Sequence, residues 1–504
     1  MRYIEGSDRN QSLLFPEMID DYVDENNPVR FIDAFVNSLD LLKLGFTHSM
    51  TSHTGRKPYN PADLLKLYIY GYLNKIRTSR QLEKATYRNL EVIWLMRKLK
   101  PDFKTISDFR KDNKQALKKV CREFIMLCKN LDLFGCELIA IDGSKFSAVN
   151  HNNKCYTQNK LKHMLKAIDN KIDEYLSLLD DEDHNEADVK EPTAAELQIK
   201  IDSLEQRKAE LQQIQQEITD SDASQQSLTD PDSRMMTGTQ GADVSYNVQI
   251  VTDAKHKLIV DFEVTNDIND ENQLYNMASK AKQTLDTDAI EVTTDMGYYN
   301  AIEIEKCETD NITCYIPKPK PSSTRDDGRY TVNDFHYDVE HDCYICPTNQ
   351  QLTYRFQTKT KNKIQKVYEG VTCKGCAHRS KCTSSKANNR RIYRWIHEDI
   401  LERMQQRMLV QPEKVLQRKC LVEHPFGTIK HWMDQSYFLT RGFEKVTAEF
   451  SLSVLAYNIK RVLNIIGVKE LVEIMRNITE HSLFYLEKLF FRLFRVNILN
   501  FCEL

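Results

Sequence analysis

Two short apolar runs, far apart in the chain, end in the same way. Glu137-Leu138-Ile139-Ala140-Ile141 leads into Asp142-Gly143-Ser144, and Ala289-Ile290-Glu291-Val292-Thr293-Thr294 leads into Asp295-Met296-Gly297-Tyr298. Each reads as a buried strand with a carboxylate at its tip, because apolar and β-branched residues fill the run and glycine stops it. Between them, 246–251 and 258–264 flank Asp253-Ala254-Lys255-His256-Lys257 as an antiparallel hairpin, and Glu271 to Leu285 reads as a helix. Asn300 to Cys307 adds a helix and Ile312 to Ile316 a strand, stopped by Pro317 and Pro319. The core is therefore α/β, mixing helices and strands. Two aspartates on strand tips are what a two-metal phosphoryl-transfer site needs, since carboxylates are hard oxygen ligands and strands fix their positions. Asp-Gly is also a common turn, so these motifs do not decide the matter alone.

At 504 residues the chain is too long for one ordinary core, and several domains or large insertions are expected. With 41% hydrophobic and 28% charged residues and no apolar run long enough to span a bilayer, a soluble globular protein without a membrane partner is expected. The start, MRYIEGSDRN, carries no apolar stretch behind its charge, which points to a reducing, cytoplasmic location with few disulfides. Net charge is only −3, so a case for nucleic acid rests on where the charge sits. From Pro61 to Asn130 lysine and arginine exceed acids by about ten. The same stretch carries helix starts: Asn60-Pro61-Ala62-Asp63, a capping box at Thr78-Ser79-Arg80-Gln81, and another start at Thr105-Ile106-Ser107-Asp108. A helix-turn-helix-like unit fits, and so does a plain bundle with a solvated basic face.

Two stretches interrupt the core. In the first, Leu161, Leu165, Ile168 and Ile172 recur at helical spacing, and Leu197, Leu204, Leu211 and Ile218 at heptad spacing, which predicts a helical hairpin around an acidic turn from Asp180 to Glu191. The second holds Cys343-x2-Cys346 and Cys373-x2-Cys376-x5-Cys382. These are two knuckles suited to tetrahedral Zn²⁺, with five candidates for four places and His378 in reserve. Beyond it, Glu398 to Ile429 and Val446 to Ile466 read as helices, and the tail from Leu483 as an amphipathic one.

The most specific stretch is Arg418-Lys419-Cys420-Leu421-Val422-Glu423-His424-Pro425-Phe426-Gly427-Thr428-Ile429-Lys430, an acid among phosphate-seeking cations. It resembles the catalytic-helix signature of bacterial insertion-sequence transposases of the DDE type. The match continues through 438–442 and 455–461, and upstream in Ile141-Asp142-Gly143-Ser144-Lys145, Thr294-Asp295-Met296-Gly297-Tyr298, Asn247, the Asn266-Asp267 pair and 101–110.

The resemblance implies a ribonuclease H-like mixed sheet carrying a helical N-terminal domain, a helical-hairpin insert and a small zinc-binding insert. It places DNA binding at 1–135, core at 136–159, the helical insert at 160–230, core again at 231–329, the cysteine-rich insert at 330–390, the last of the core at 391–467 and a tail at 468–504. It implies Asp142, Asp295 and Glu423 as catalytic ligands of two Mg²⁺ or Mn²⁺ ions. Lys430, Arg418 and Lys419 are implied as DNA contacts, with Leu416 and Lys419 standing where relatives carry tyrosine and arginine. The relatives' Tyr-x-Cys-Pro element, like 344–347, favours Cys346, Cys373, Cys376 and Cys382 as structural zinc ligands. The implied partners are the element's inverted repeats, target DNA and further copies of the chain in a synaptic complex, with the cytoplasmic protein on the nucleoid when bound. A domesticated or decayed transposase that only binds DNA and a ribonuclease H-like nuclease of repair or defence are the competing readings. Pro425 further predicts that Glu423 lies at a helix start or kink, because proline disfavours a helical residue before it.

Overall fold

The computed structural model describes residues 17–49, 57–150, 154–182, 194–220, 224–238, 241–319, 329–360, 363–383 and 389–478. The chain opens with helices α1 (Pro28–Asn37), α2 (Leu41–Leu44), α3 (Pro61–Leu73), α4 (Ser79–Arg88), α5 (Leu90–Leu95), α6 (Phe103–Asp112) and α7 (Lys114–Asn130). Their starts are set locally. Asn60 caps α3 by accepting from Ala62 N, with Pro61 in the first turn, and Thr78 Oγ1 accepts from Gln81 N at the head of α4. The box at α4 is half made, since the Gln81 side chain accepts from the Thr78 hydroxyl at 2.9 Å. The start expected at Thr105 lies earlier. The Asp102 carboxylate caps the Thr105 amide, so α6 begins at Phe103.

Next come β1 (Leu138–Ser147), β2 (Cys155–Thr157), α8 (Gln158–Glu182), α9 (Ala194–Asp220), β3 (Gln225–Ser227), β4 (Arg234–Gly238), β5 (Gly241–Asp253), β6 (Ile259–Thr265), α10 (Leu274–Leu285), β7 (Ile290–Thr293), α11 (Ala301–Thr309) and β8 (Ile312–Tyr315). A six-stranded sheet runs in the order β4-β5-β1-β7-β8, with β6 also on β5. β1 is antiparallel to β5 and parallel to β7, which is parallel to β8. Asp142 is not at a strand tip. β5 pairs with β1 as far as Ser147, whereas β7 leaves it after Ala140, so Asp142 sits where the two parallel strands part.

The first interruption is the expected helical hairpin, α8 against α9, closed at its base by β2 and β3. Leu161, Leu211 and Ile218 are buried along its seam, and Lys208 pairs with Asp169 across it at 2.7 Å. The acidic turn falls almost wholly outside the described residues, as does the tail from 483. The second interruption is a separate antiparallel sheet of β9 (His336–Asp338), β10 (Cys343–Ile345), β11 (Gln351–Thr360), β12 (Lys363–Gly370) and, after the short α12 (Arg379–Cys382), β13 (Arg391–Trp395).

The chain closes with α13 (Glu398–Val410), α14 (Pro412–Gly427), a wide π turn over Thr428–Trp432, and α15 (Phe443–Ile466). The single helix expected from 398 to 429 is broken at Gln411, because Pro412 starts a new one. α14 then runs through Pro425 with His424 helical, which corrects the expected start or kink at Glu423. The irregularity comes after the glutamate instead, where the ladder widens into the π turn. Among the described residues no helix is long and apolar enough to cross a membrane.

α15 is buried on nearly every side because it packs on α3 and α7 with one flank and on β6 with the other. One hydrophobic core therefore runs through the N-terminal helices, the six-stranded sheet and α15. The polar residues of α15 fasten it. Asn458 donates to Ile259 O at 2.8 Å and accepts from Ile259 N at 2.9 Å, while Tyr457 Oη and Arg461 hold the carbonyls of Lys257 and His256 in the hairpin turn. Glu449, 1% exposed, accepts from Leu439 N, from Thr440 N and Oγ1, and from Arg77 at 3.0 Å. Arg77 also donates to the carbonyls of Asp434 and Tyr437, so one buried ion pair clamps the segment after the π turn between the N-terminal helices and α15.

Replacing one partner of such a pair leaves the other charge buried and unpaired. Glu449→Ala is expected to lower unfolding free energy by about 3–5 kcal/mol in urea titrations. A loss below about 1 kcal/mol would mean that Arg77 finds another acceptor.

Candidate functional site

Where β1 and β7 part, a gap opens at the carboxyl end of the parallel strands, and both motif aspartates border it. Asp142 lies two residues beyond the last β1–β7 pair, and Asp295 two beyond the end of β7. Asp295 Oδ1 accepts from Gly297 N at 2.8 Å, which fixes it at the head of a 3₁₀ turn over Met296–Tyr298. The Asp142 carboxyl is pushed up to about 7. Burial is the main cause, the neighbouring Asp295 and Asp270 carboxylates add to it, and Arg418 together with the Gly143 amide works against it.

α14 lies over this gap. Leu421 and Val422 pack on Ala140, and one turn earlier Arg418 reaches to 3.5 Å from Asp142 Oδ1. Lys430, from the π turn, donates to Ser144 Oγ and to Lys145 O at 2.6 Å each, with its ammonium 4.5 Å from the Phe146 ring centre. Burial draws the Lys430 ammonium down to about 8, helped by Lys145 and opposed by Asp142. Glu423 is placed differently. It is 64% exposed and pairs with Lys419 on its own helix at 3.8 Å. Successive helical residues are turned by about 100°, so with Val422 facing the sheet Glu423 faces away from it. The structure thus brings Asp142, Asp295, Arg418 and Lys430 together and leaves Glu423 and Lys419 on the outer side. His424, next to the glutamate, contacts the Tyr457 hydroxyl at 3.0 Å.

Asp270, in the loop before α10, is the acid that sequence reasoning missed. It stands three residues past the Asn266-Asp267 pair, where no spacing rule marks it. Its Oδ1 accepts from Asn247 and Gln249, both on β5. The donors around the gap are carboxylate and amide oxygens, and Asn247 Oδ1 is buried with no partner among the described residues. That chemistry fits a hard divalent cation. Among the described residues no three His, Cys, Asp or Glu side chains converge as a finished cage.

The cysteines sort themselves in the second sheet. Cys346, Cys373, Cys376 and Cys382 line one cavity of about 410 Å³, and Cys343 is buried elsewhere on β10. Burial works against the Cys346 thiolate, but Thr348 Oγ1 and backbone amides including Gln350 N hold the thiol below its ordinary value. Burial raises the Cys382 thiol, and the three other cavity thiols add to this. His378 also lines the cavity, with Nδ1 engaged by the Tyr330 hydroxyl at 2.7 Å. Four sulfurs line this one cavity without closing on a common point, and thiolates are the donor type that zinc takes.

Comparison with protein families gives two matches, a transposase domain (DUF772) over residues 17–112 and a transposase DDE domain over residues 345–463. Comparison with curated proteins gives none. Among solved structures the chain is similar to a piggyBac transposase, solved as a synaptic complex with hairpin DNA, at 9% identity over 90% of this chain and 79% of that one. The TM-score of 0.30 is too low to carry an argument.

The raised Asp142 pKa has a consequence for stability in metal-free buffer. Between about 4 and about 7 the folded chain keeps a proton that the unfolded chain has released, so this carboxyl penalises folding increasingly as pH rises through that window. Asp142→Asn is expected to be stabilising in EDTA. Its gain over wild type should grow from pH about 4 to pH about 8, by as much as about 4 kcal/mol. A gain independent of pH in thermal melts would show that burial does not perturb this group.

Proposed function

We propose that this chain, a DDE-type insertion-sequence transposase, cuts and joins DNA at the gap between β1 and β7, with Asp142 and Asp295 as metal ligands. The observation that carries the reading is the pair of carboxylates where two parallel strands part, Asp142 on β1 and Asp295 just past the end of β7, close enough for Asp295 to act on Asp142 and overhung by Arg418. The strand order supports a ribonuclease H-like core, with antiparallel β5 and β6 on one side of β1 and parallel β7 and β8 on the other. Two Mg²⁺ or Mn²⁺ ions bound there supply Lewis acidity to the attacking and the leaving oxygen.

The chain's own residues position and balance. Strand β1 fixes Asp142 and the 3₁₀ turn fixes Asp295, Lys430 holds Ser144 and Lys145 beside Asp142, and Arg418 neutralises Asp142 until a DNA phosphate offers it a bidentate partner. Lys419, exposed on the outer side, is a further phosphate contact. For Glu423 to join the aspartates, α14 has to turn by about 100°, the angle of one residue. The π turn directly beyond it is a place where the helical register is already loosened.

The remaining modules serve DNA and assembly. Around α4 and α6, exposed Arg80, Lys84, Lys100 and Lys104 surround exposed Tyr87 and Phe103, a basic surface with aromatic interleaving that supports a helix-turn-helix-like reader of the inverted repeats. Cys346, Cys373, Cys376 and Cys382 hold a structural zinc. Two element ends have to be processed together, so the active form is an oligomer. The exposed Leu176, Leu178 and Ile199 of the helical hairpin favour self-association there.

With a labelled fragment carrying the element's own end and Mg²⁺, wild type is expected to cut the end and join it to target DNA. Asp142→Ala, Asp295→Ala and Glu423→Ala should each lose more than about 100-fold. Binding without cleavage by wild type would favour a protein that only holds DNA, and an active variant would remove its residue from the site. Purified protein should also carry about one zinc, lost in Cys373→Ser or Cys376→Ser and kept in Cys343→Ser. Metal analysis showing the reverse pattern would redraw the ligand set.

A further inference from the structure

We propose that Asp270 is a cation-binding carboxylate of this same site, with the amide oxygen of Asn247 beside it; the inference rests on the reading of Asp142 and Asp295 as metal ligands. Asp270 comes from neither parallel strand nor α14. Two side-chain amides hold it, Asn247 Nδ2 at 2.7 Å and Gln249 Nε2 at 2.6 Å, and both bind the same oxygen, Oδ1. Oδ2 is left without a hydrogen-bond partner among the described residues. Pinned through Oδ1, the carboxylate keeps Oδ2 available to a cation, held as a ligand is held by its supporting shell.

The neighbourhood has the same character. Gln249 accepts from the Tyr298 hydroxyl, and Tyr298 ends the 3₁₀ turn that Asp295 caps, so the support of Asp270 and the loop of Asp295 are one network. The approach to β1 depends on Gly143, the residue after Asp142. A Cβ there would stand 2.6 Å from Asp270 Oδ1 and 3.1 Å from Asn247 Oδ1, so any side chain would displace the carboxylate from the strand. Asn247 is fully buried and its Oδ1 has no donor among the described residues. A buried amide oxygen left without a partner costs about 1–3 kcal/mol, and a cation would supply the missing partner. Asp295 and Asp270 both act on Asp142, so the three carboxylates are neighbours, with Arg418 and Lys430 as cations beside Asp142 and Lys145 beside Asp270.

Mn²⁺ binding to the full DNA-free chain, followed by the EPR signal of free Mn²⁺, tests this without reference to catalysis. Asp270→Asn keeps an oxygen for the two amides and removes the charge. It is expected to weaken Mn²⁺ binding by about 10–100-fold at an unchanged melting temperature. Should it fold poorly, Asp270→Ser is read instead, with the same loss expected. Wild-type affinity in a folded Asp270 variant, alongside loss of binding in Asp142→Asn, would overturn this inference and leave the aspartate site standing. No Mn²⁺ binding by wild type would overturn both.

Discussion

The buried contact between Arg77 and Glu449 joins three parts of the chain that share no local sequence. Arg77 comes from the turn between α3 and α4, Glu449 from the second turn of α15, and the carbonyls and amides they bind belong to the segment 434–440. That segment follows the π turn that carries Lys430 and the helix that carries Arg418. Its placement therefore sets where α14 ends over the gap. The charges are affordable inside because the carboxylate accepts from a guanidinium, a hydroxyl and two amides at once.

Around that clamp, the site follows from a mismatch between two pairings. β1 is held along its whole length by an antiparallel neighbour and for only three residues by a parallel one, so a gap appears on one side of a continuous strand. Asp142 is rigid because β5 holds it and accessible because β7 has left. The same mismatch lets Asp270 approach from the loop before α10, across the bare backbone of Gly143.

How far this was legible in the sequence depended on distance along the chain. Asn60-Pro61, the 246–264 hairpin and the α8–α9 seam are written in neighbouring residues, and the structure carries them; cysteine spacing alone leaves five candidates for four places, and it is the family resemblance that singles out Cys346, Cys373, Cys376 and Cys382, which line one cavity. Thr105 was displaced by a better acceptor three residues earlier, and Asp142 was read at a tip because periodicity cannot show that β5 extends the strand beyond the glycine. Pro425 was read as a boundary, yet packing of Leu421 and Val422 on Ala140 keeps the helix going. Asp270 and the Arg77–Glu449 pair had no local mark, since their partners lie 21 and 372 residues away. The outward face of Glu423 could not be read either, because it depends on which side of α14 the sheet takes.

α15 carries a consequence for how such a chain can change over time. It is the inner wall of the helical module and of the sheet at once, so neither module owns a closed interior. A sheet module detached before β1 would bare one flank of a helix that has almost no polar side, a face that favours aggregation. The helical module and the sheet cannot be traded as interchangeable cassettes. Change that keeps the fold is confined to outer faces such as those of α4 and α6, while the buried surface shared with α15 is kept.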